Sequence, residues 1–329
     1  MAEVTTLRER EAPRLGASRL AALGPAFWAG LAWLVLVVVS VMNRPDFWST
    51  QTLNAICFTM AVAGILAVGQ SLVMISGAGL DLSQPAALGI GAVATLEALR
   101  AGFHPIAVVL IAASAGALWG LLCASVVVLA KLNPLLVTLA LNFVGISLHS
   151  IRYPAPLATP NSWLRDFGTA NFIGLPAVFW PMLVIVLVTG FLVPRTRYGR
   201  RMMAVGGAPF SAKARGISLP RTRIVVFAIS GGLAGLASTI YVASTPSFQS
   251  GATSTYLLPV ISAVILSGIA VSGGVGNIWA LLIGLGFLST VPTALVFFGL
   301  PSAWQSVVQG AILVIAVSID GLSRRKEQS

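Results

Sequence analysis

The sequence is poor in charge, in cysteine and in groups that could form a catalytic site. Only 9% of its 329 residues are charged, and it has two cysteines and two histidines. Cys57 and Cys123 have no spacing typical of a disulfide framework or a metal site. The motifs G-x-x-x-x-G-K-[ST], H-E-x-x-H and G-x-S-x-G do not occur. These absences argue against an ordinary soluble domain, a P-loop ATPase and a membrane-embedded hydrolase.

Long apolar segments fill most of the chain. Hydrophobic residues make up 57% of it, and the mean hydropathy is +0.93. A helix needs about 20 apolar residues to cross a membrane, and about ten segments approach that length. We predict spans at 25–42, 53–76, 84–99, 106–130, 134–150, 178–193, 224–243, 256–271, 278–298 and 304–319. The predicted fold is an all-α integral membrane protein, because a β-barrel would show short alternating strands instead.

Basic residues predict the orientation. Arg8, Arg10, Arg14 and Arg19 precede the first span, and Arg324, Arg325 and Lys326 follow the last. The stretch 194–223 has eight basic residues and no acidic one. Because positive residues mark the cytoplasmic side, we expect cytoplasmic segments at 1–24 and 321–329 and a transmembrane domain at 25–320. Topology then accounts for most of the net charge of +11, and nucleic-acid binding is not expected.

Two connections are long enough to have a role of their own. Residues 151–177, on the predicted outer face, are either a docking surface or a plain loop. Residues 194–223, on the predicted inner face, contain Gly206 and Gly207, then Pro209 and a helix-permissive run ending at Gly216. Proline suits the first turn of a helix and glycine its end. We therefore predict a short helix outside the membrane, with a simple basic loop as the alternative.

Glycine-rich breaks occur in two similar stretches. VMISGAGLDLSQPAALGIG (73–91) contains Gly77 and Gly79, and AVSGGVGNIWALLIGLG (270–286) contains Gly273, Gly274 and Gly276. Such interruptions at corresponding places indicate a transport path, although glycine also permits close helix packing.

Asp81 is a lone carboxylate at the first break. Charge at the bilayer centre costs roughly 2.5–3.5 kcal/mol, so Asp81 must lie at an interface or in a polar cavity. Either Asp81 or Ser83 can cap the helix that follows, or Asp81 contacts the transported solute or acts in gating. Both roles can coexist.

Two polar pairs have helical spacing. Thr138 and Asn142 are four residues apart, as are Gln305 and Gln309, so each pair shares one helix face. Each pair either forms hydrogen bonds between helices or lines a path.

Five segments resemble the permease subunits of sugar-importing ATP-binding-cassette transporters of the ribose and xylose type. They are GAGLDLSQPAALGIGA, LNPLLVTLALNFVGISL, TRYGRRMMAVGGAPFSAKARGI, VILSGIAVSGGVGNIWALLIG and WQSVVQGAILVIAVSID, and they follow the family's order from about residue 53 to 320. Gln84-Pro85 departs from the usual Val-Gly of the family, and Ala208 replaces the usual Asn.

The resemblance implies a permease in the bacterial inner membrane and no catalysis by this chain. Its expected partners are cytoplasmic ATPase subunits holding ATP and Mg, a second permease copy or paralogue, a periplasmic solute-binding protein and membrane lipid. No cofactor is expected on this chain. The solute would be a pentose, hexose, polyol or related signalling furanose. Residues 206–217 would couple to the ATPase: Gly206, Gly207, Pro209, Ser211, Ala212, Lys213, Arg215, Gly216 and Ile217. We expect Ala212 at the centre of that docking surface.

Three alternatives stay open. A nucleoside or branched-chain amino acid permease belongs to the same superfamily. A secondary transporter would need coupling acids in its spans, where only Asp81 is available. A membrane enzyme lacks a catalytic constellation.

Overall fold

The computed structural model describes residues 24–301 and 303–328, with side chains up to residue 318. The arginines predicted to precede the first span, and the side chains of the basic tail, lie outside the described part. The helices are α1 (Pro25–Asn43), α2 (Thr50–Ile75), α3 (Gln84–Arg100), α4 (Pro105–Leu129), α5 (Pro134–Arg152), α6 (Trp163–Thr169), α7 (Phe179–Arg195), α8 (Arg197–Gly207), α9 (Pro209–Ala214), α10 (Leu219–Ser244), α11 (Leu257–Leu266), α12 (Leu281–Phe297) and α13 (Ala303–Gln328). Short 3₁₀ turns cover Pro45–Trp48, Ala252–Tyr256 and Ile278–Ala280.

Two small strand pairs complete the fold. β1 (Leu157–Ala158) pairs antiparallel with β4 (Ser247–Phe248), with Leu157 opposite Phe248. β2 (Asn171–Phe172) pairs with β3 (Leu175–Pro176) across a tight turn. The first pair joins the connections 151–177 and 244–255, so these two predicted outer segments lie on the same side of the molecule.

Local sequence explains where several helices begin. The side chains of Asn133 and Thr196 accept hydrogen bonds from backbone N–H groups in the first turns of α5 and α8, at 2.9 and 3.1 Å. Proline occupies the first turn of α1, α3, α4, α5, α9 and α10, where its missing N–H costs nothing. These helix starts therefore follow from residues adjacent in the chain.

The centre of the molecule is built around α2 and α10. The second half of α2 is buried on every side, as expected of a helix that is apolar all round. α10 packs against α2, α3 and α4. Against α4 the approach is backbone to backbone, since a Cβ at Gly116, Gly120, Gly231 or Gly235 would overlap the other helix. Small residues thus let these helices pack at close range.

The predicted count of ten spans is not confirmed, although each predicted segment coincides with a helix. Among the residues that the structure describes, six helical segments are long and apolar enough to cross a membrane alone: α1, α2, α4, α5, α10 and Ile278–Phe297. α7 and α8 add a seventh if the pair, bent by 76°, is one span. The segment predicted at 256–271 forms a shorter helix that ends at Leu266, because Gly268 turns the chain with a φ of +79°.

Candidate functional site

Asp81 lies in the break between α2 and α3 and is only 1% exposed. One carboxylate oxygen accepts hydrogen bonds from the backbone N–H of Ser83 at 3.0 Å and from its hydroxyl at 2.6 Å. The other accepts from the hydroxyl of Ser230 on α10, at 3.0 Å. Asp81 therefore caps the chain entering α3 and also ties that entry to α10. Ser83 is the N-cap residue of α3, but its side chain makes no capping bond.

Two glutamines hold the same break from its other sides. The Gln84 amide donates to the carbonyl of Leu66 and to the hydroxyl of Ser230, both at 3.0 Å. The Gln70 amide donates to the backbone carbonyl of Asp81 at 3.0 Å and accepts from its N–H at 3.2 Å. Gln84, at the departure from the family pattern, thus takes part in the hydrogen bonding of the break.

Thr138 and Asn142 also bind the break, from α5. The Thr138 hydroxyl accepts from the N–H of Leu82, and the Asn142 side-chain oxygen accepts from the N–H of Ala86, both at 3.0 Å. Both side chains are buried. Their four-residue spacing therefore serves hydrogen bonding between helices, and Asn142 provides a cap for α3 from another part of the chain.

The second glycine break meets the first at a place we name the glycine junction, formed by Gly77, Gly206, Gly207, Gly273 and Gly274. The N–H of Gly274 donates to the carbonyl of Ile75 at 2.9 Å. A Cβ at Gly273 would lie 2.7 Å from the Cα of Gly77, and one at Gly77 would lie 2.9 Å from the Cα of Gly206. Glycine is required here because three backbones touch and because Gly77, Gly273 and Gly274 have positive φ.

The remaining predicted path residues lie elsewhere. Gly79 packs beside Pro134, and Gly276 lies against Ile269 and Ile75. Gln305 and Gln309 are on α13, which packs against α11 and α12. The structure therefore does not join these two glutamines to the Asp81 network.

The short helix predicted in 194–223 is present as α9. Pro209 opens it, and Gly216, with a φ of +79°, follows its end. Ala208 precedes it without a side-chain cap, as expected from the loss of the usual Asn. Ile217 then returns the chain toward α10 through a bond from its N–H to the carbonyl of Ala212 at 3.0 Å.

The exposed face of α9 differs from the predicted one. Ala212 is 3% exposed, whereas Phe210 is 89% exposed. Ser211, Lys213 and Arg215 are exposed as well. The expectation that the Ala212 side chain lies at the centre of a docking surface is wrong, because that side of α9 packs against the chain itself. The prominent apolar group is Phe210, which sequence reasoning missed although it is the one large apolar residue in a short basic helix.

α8 connects α9 to the spanning helices. Gly199, Met202 and Val205 form its buried face, and Arg197, Arg200 and Arg201 are exposed. The Tyr198 hydroxyl donates to the carbonyl of Thr222 on α10 at 3.2 Å. α8 is thus an amphipathic helix fixed against α10.

A family of known proteins matches most of this chain. Residues 52–317 match the family described as branched-chain amino acid transport system / permease component. The chain belongs to this permease family. The match includes both glycine breaks and the whole of α8 and α9, so the candidate site lies inside the family domain.

The alignments of this permease with individual relatives cover most of both proteins. The ribose import permease protein of Bacillus subtilis (strain 168) is 30% identical over 301 residues, which are 91% of this chain and 92% of that protein. The autoinducer 2 import system permease protein of Klebsiella pneumoniae (strain ATCC 700721 / MGH 78578) is 30% identical over 304 residues, or 90% and 86%. The L-arabinose ABC transporter permease protein of Azospirillum brasilense is 28% identical over 302 residues, or 91% and 88%.

Sequence reasoning about this permease missed several residues of the Asp81 network. Gln70 and Ser230 reach the break from α2 and α10, and the Cys123 thiol donates to the Ser83 hydroxyl at 3.3 Å. Gln70 carried a signal, as a buried amide in an otherwise apolar helix. Ser230 carried none, since serine is ordinary in membrane helices.

Proposed function

We propose that the chain is the membrane subunit of an ATP-driven importer for a sugar or sugar-like solute. A separate ATPase would hold ATP and Mg and hydrolyse the nucleotide, and a periplasmic protein would deliver the solute. The family match and the relatives named for ribose and L-arabinose support this assignment. The alignments cover 92% of the ribose relative and 88% of the L-arabinose relative, which supports a permease of the same kind.

The observation that carries the coupling role is the position of α9. Lys213 of α9 lines a cavity together with Lys131 and Pro220, so α9 lies at the end of the molecule where α4 ends and α5 and α10 begin. Phe210 of the same helix is exposed. The chain segment just before α9, Gly206 and Gly207, is part of the glycine junction and contacts both broken segments. A push on α9 by an ATPase would therefore reach both breaks through backbone contacts.

Phe210 is the expected anchor on the ATPase side. An exposed aromatic ring seated in a partner's pocket is typical of residues whose loss costs about 2 kcal/mol or more, which is about thirtyfold in affinity. We expect Phe210→Asp to reduce recovery of the cognate ATPase with the purified permease. The amount of permease in the membrane should stay close to the wild-type level, because the side chain is exposed.

The matched control is Ile173→Asp. Ile173 is also apolar and 74% exposed, but it lies at the turn between β2 and β3, on the opposite side of the molecule by our topology. It should leave ATPase recovery unchanged. Full recovery and normal substrate-stimulated hydrolysis with Phe210→Asp would contradict the role of Phe210 as the anchor of α9 on the ATPase.

A branched-chain amino acid permease is the second candidate, since the description of the matched family names that substrate. The two candidates differ in what the cognate solute-binding protein recognises. We expect that protein to bind a pentose or hexose and not leucine. Binding of leucine alone would overturn the sugar assignment while leaving the ATP-driven mechanism in place.

A further inference from the structure

A basic cavity of about 570 Å³ lies beside α9. Its charged side chains come from three elements: Lys131 from the connection between α4 and α5, Lys213 from α9 and Arg223 from α10. Ser218 adds a hydroxyl group. No acidic residue is among the described residues that line it, so the positive charges are uncompensated there.

Arg223 has unused hydrogen-bonding capacity. One terminal nitrogen donates to the carbonyl of Gly77 at 3.3 Å. Its Nε is buried and has no partner in the described part of the protein. A buried donor without an acceptor is destabilising, so an anion that reached this guanidinium would satisfy an existing deficit.

Lys131 occupies a backbone conformation that rarely suits lysine. Its φ is +53°, in the left-handed region where the residue after a helix is usually glycine. This conformation costs lysine energy that glycine would avoid. The backbone conformation therefore favours glycine over lysine at position 131. Only the lysine side chain can account for its presence there.

The rest of the cavity is apolar and lies at the ends of spanning helices. Its walls include Val127 and Leu132, with Pro134 and Pro220 at the starts of α5 and α10. α4, α5 and α10 are each long and apolar enough to span a membrane, so their ends mark its surface. A cationic site with apolar walls at that depth matches a molecule with a phosphate group and acyl chains.

We propose that this cavity binds the phosphate of an anionic phospholipid through Lys131, Lys213 and Arg223. Basic pockets between spanning helices at the membrane surface suit such headgroups. The apolar walls favour a lipid over free phosphate, which shares the same anionic chemistry. Because Arg223 also holds Gly77, a bound lipid would stabilise the glycine junction.

The test uses the full chain purified in detergent and titrated with fluorescent short-chain phosphatidylglycerol. The variant Lys131→Gly with Lys213→Gln removes two charges while giving position 131 the residue its φ prefers. It should fold at least as well as the wild type and bind the lipid about thirtyfold more weakly. Phosphatidylcholine should bind weakly to both proteins.

The matched control is Arg201→Gln with Arg221→Gln, which removes two exposed charges from the same stretch but none from the cavity. It should keep the wild-type affinity, and an equal loss in this control would overturn the proposal. Inorganic phosphate that competes fully with the lipid at millimolar concentration would replace the lipid assignment by a free-phosphate site. Loss of ATPase recovery with unchanged lipid affinity would assign the cavity to the docking surface instead.

Discussion

Asp81 acts in this structure as an acceptor that joins two parts of the chain, the entry to α3 and the helix α10. Its carboxylate receives bonds from the N–H and hydroxyl of Ser83 and from the hydroxyl of Ser230. All three bonds are made inside the protein, where water cannot replace them. The carboxylate therefore has a structural role before any role in transport is considered.

Asp81→Asn should weaken this network at one bond only. Asparagine retains one oxygen for Ser83 and also caps well, but its amide group would face the hydroxyl of Ser230. We expect the free energy of unfolding to fall by about 1–3 kcal/mol, the cost of one unsatisfied buried group. Thermal unfolding of the purified protein measures this loss.

Ser230→Ala is the matched variant because it removes the same bond from the other side. The double variant should lose less than the sum of the two single losses, as expected for groups in direct contact. Additive losses would show that the bond is not formed. A role in the path would appear separately, as uptake per folded complex lower in Asp81→Asn than in Ser230→Ala.

At the scale of helices, the packing of α4 against α10 depends on glycine at specific positions. A Cβ at Gly231 would overlap the backbone of Gly116 and Gly120, whereas one at Gly232 would make an ordinary contact with Ala117 at 3.5 Å. The two glycines are adjacent in one helix, so they differ in packing and not in helix propensity.

Gly231→Ala and Gly232→Ala should therefore have opposite effects. The first forces the helices apart and should destabilise the protein by about 1–3 kcal/mol. The second should be neutral or stabilising by up to about 1 kcal/mol, because alanine favours helix. Unfolding temperatures of the two purified variants provide the comparison, and equal values would contradict this account of the packing.

The glycine junction allows a second prediction at this scale. Gly273→Ala places a Cβ 2.7 Å from the Cα of Gly77, so the contact between the two breaks must open. We expect solute uptake per ATP hydrolysed to fall several-fold in the reconstituted complex, because motion of α9 would no longer reach the second break. Gly299→Ala is the control, since Gly299 has a similar φ of +73° but no atom within 4 Å of its Cβ position. Equal loss in both variants would assign the effect to backbone strain alone.

At the scale of the whole molecule, contacts group the connections into two sets. Thr159 in 151–177 bonds to the carbonyl of Thr245 at 2.9 Å, and Tyr153 bonds to Glu97 near the end of α3 at 3.2 Å. The glycine junction and the basic cavity are formed by connections of the other set. The contacts separate the two sets of connections, and which set is cytoplasmic stays a prediction from the basic residues.

Single cysteines test that topology. In a Cys57→Ser, Cys123→Ser background, cysteine at the exposed positions Asn161 and Ser211 should react with a membrane-impermeant reagent from the outside and from the inside, respectively. Labelling of both cysteines from the same side of the membrane would contradict the arrangement. Labelling after lysis confirms that each cysteine is accessible.

The sequence alone determined the local features of this permease. The apolar segments became helices, the glycine breaks became turns, and Pro209 and Gly216 bounded a short helix, because these outcomes depend on neighbouring residues. The family motifs also lie in the sequence and need no structure.

Only the tertiary structure decided which of these features meet. Asn142 caps α3 from 56 residues away, and Gly77, Gly206 and Gly273 form one contact. The face that α9 exposes was likewise set by packing: Ala212 faces inward and Phe210 outward. A helix of six residues has no clear apolar stripe of its own, so its orientation depends on the distant helices it packs against, and local sequence does not encode that choice.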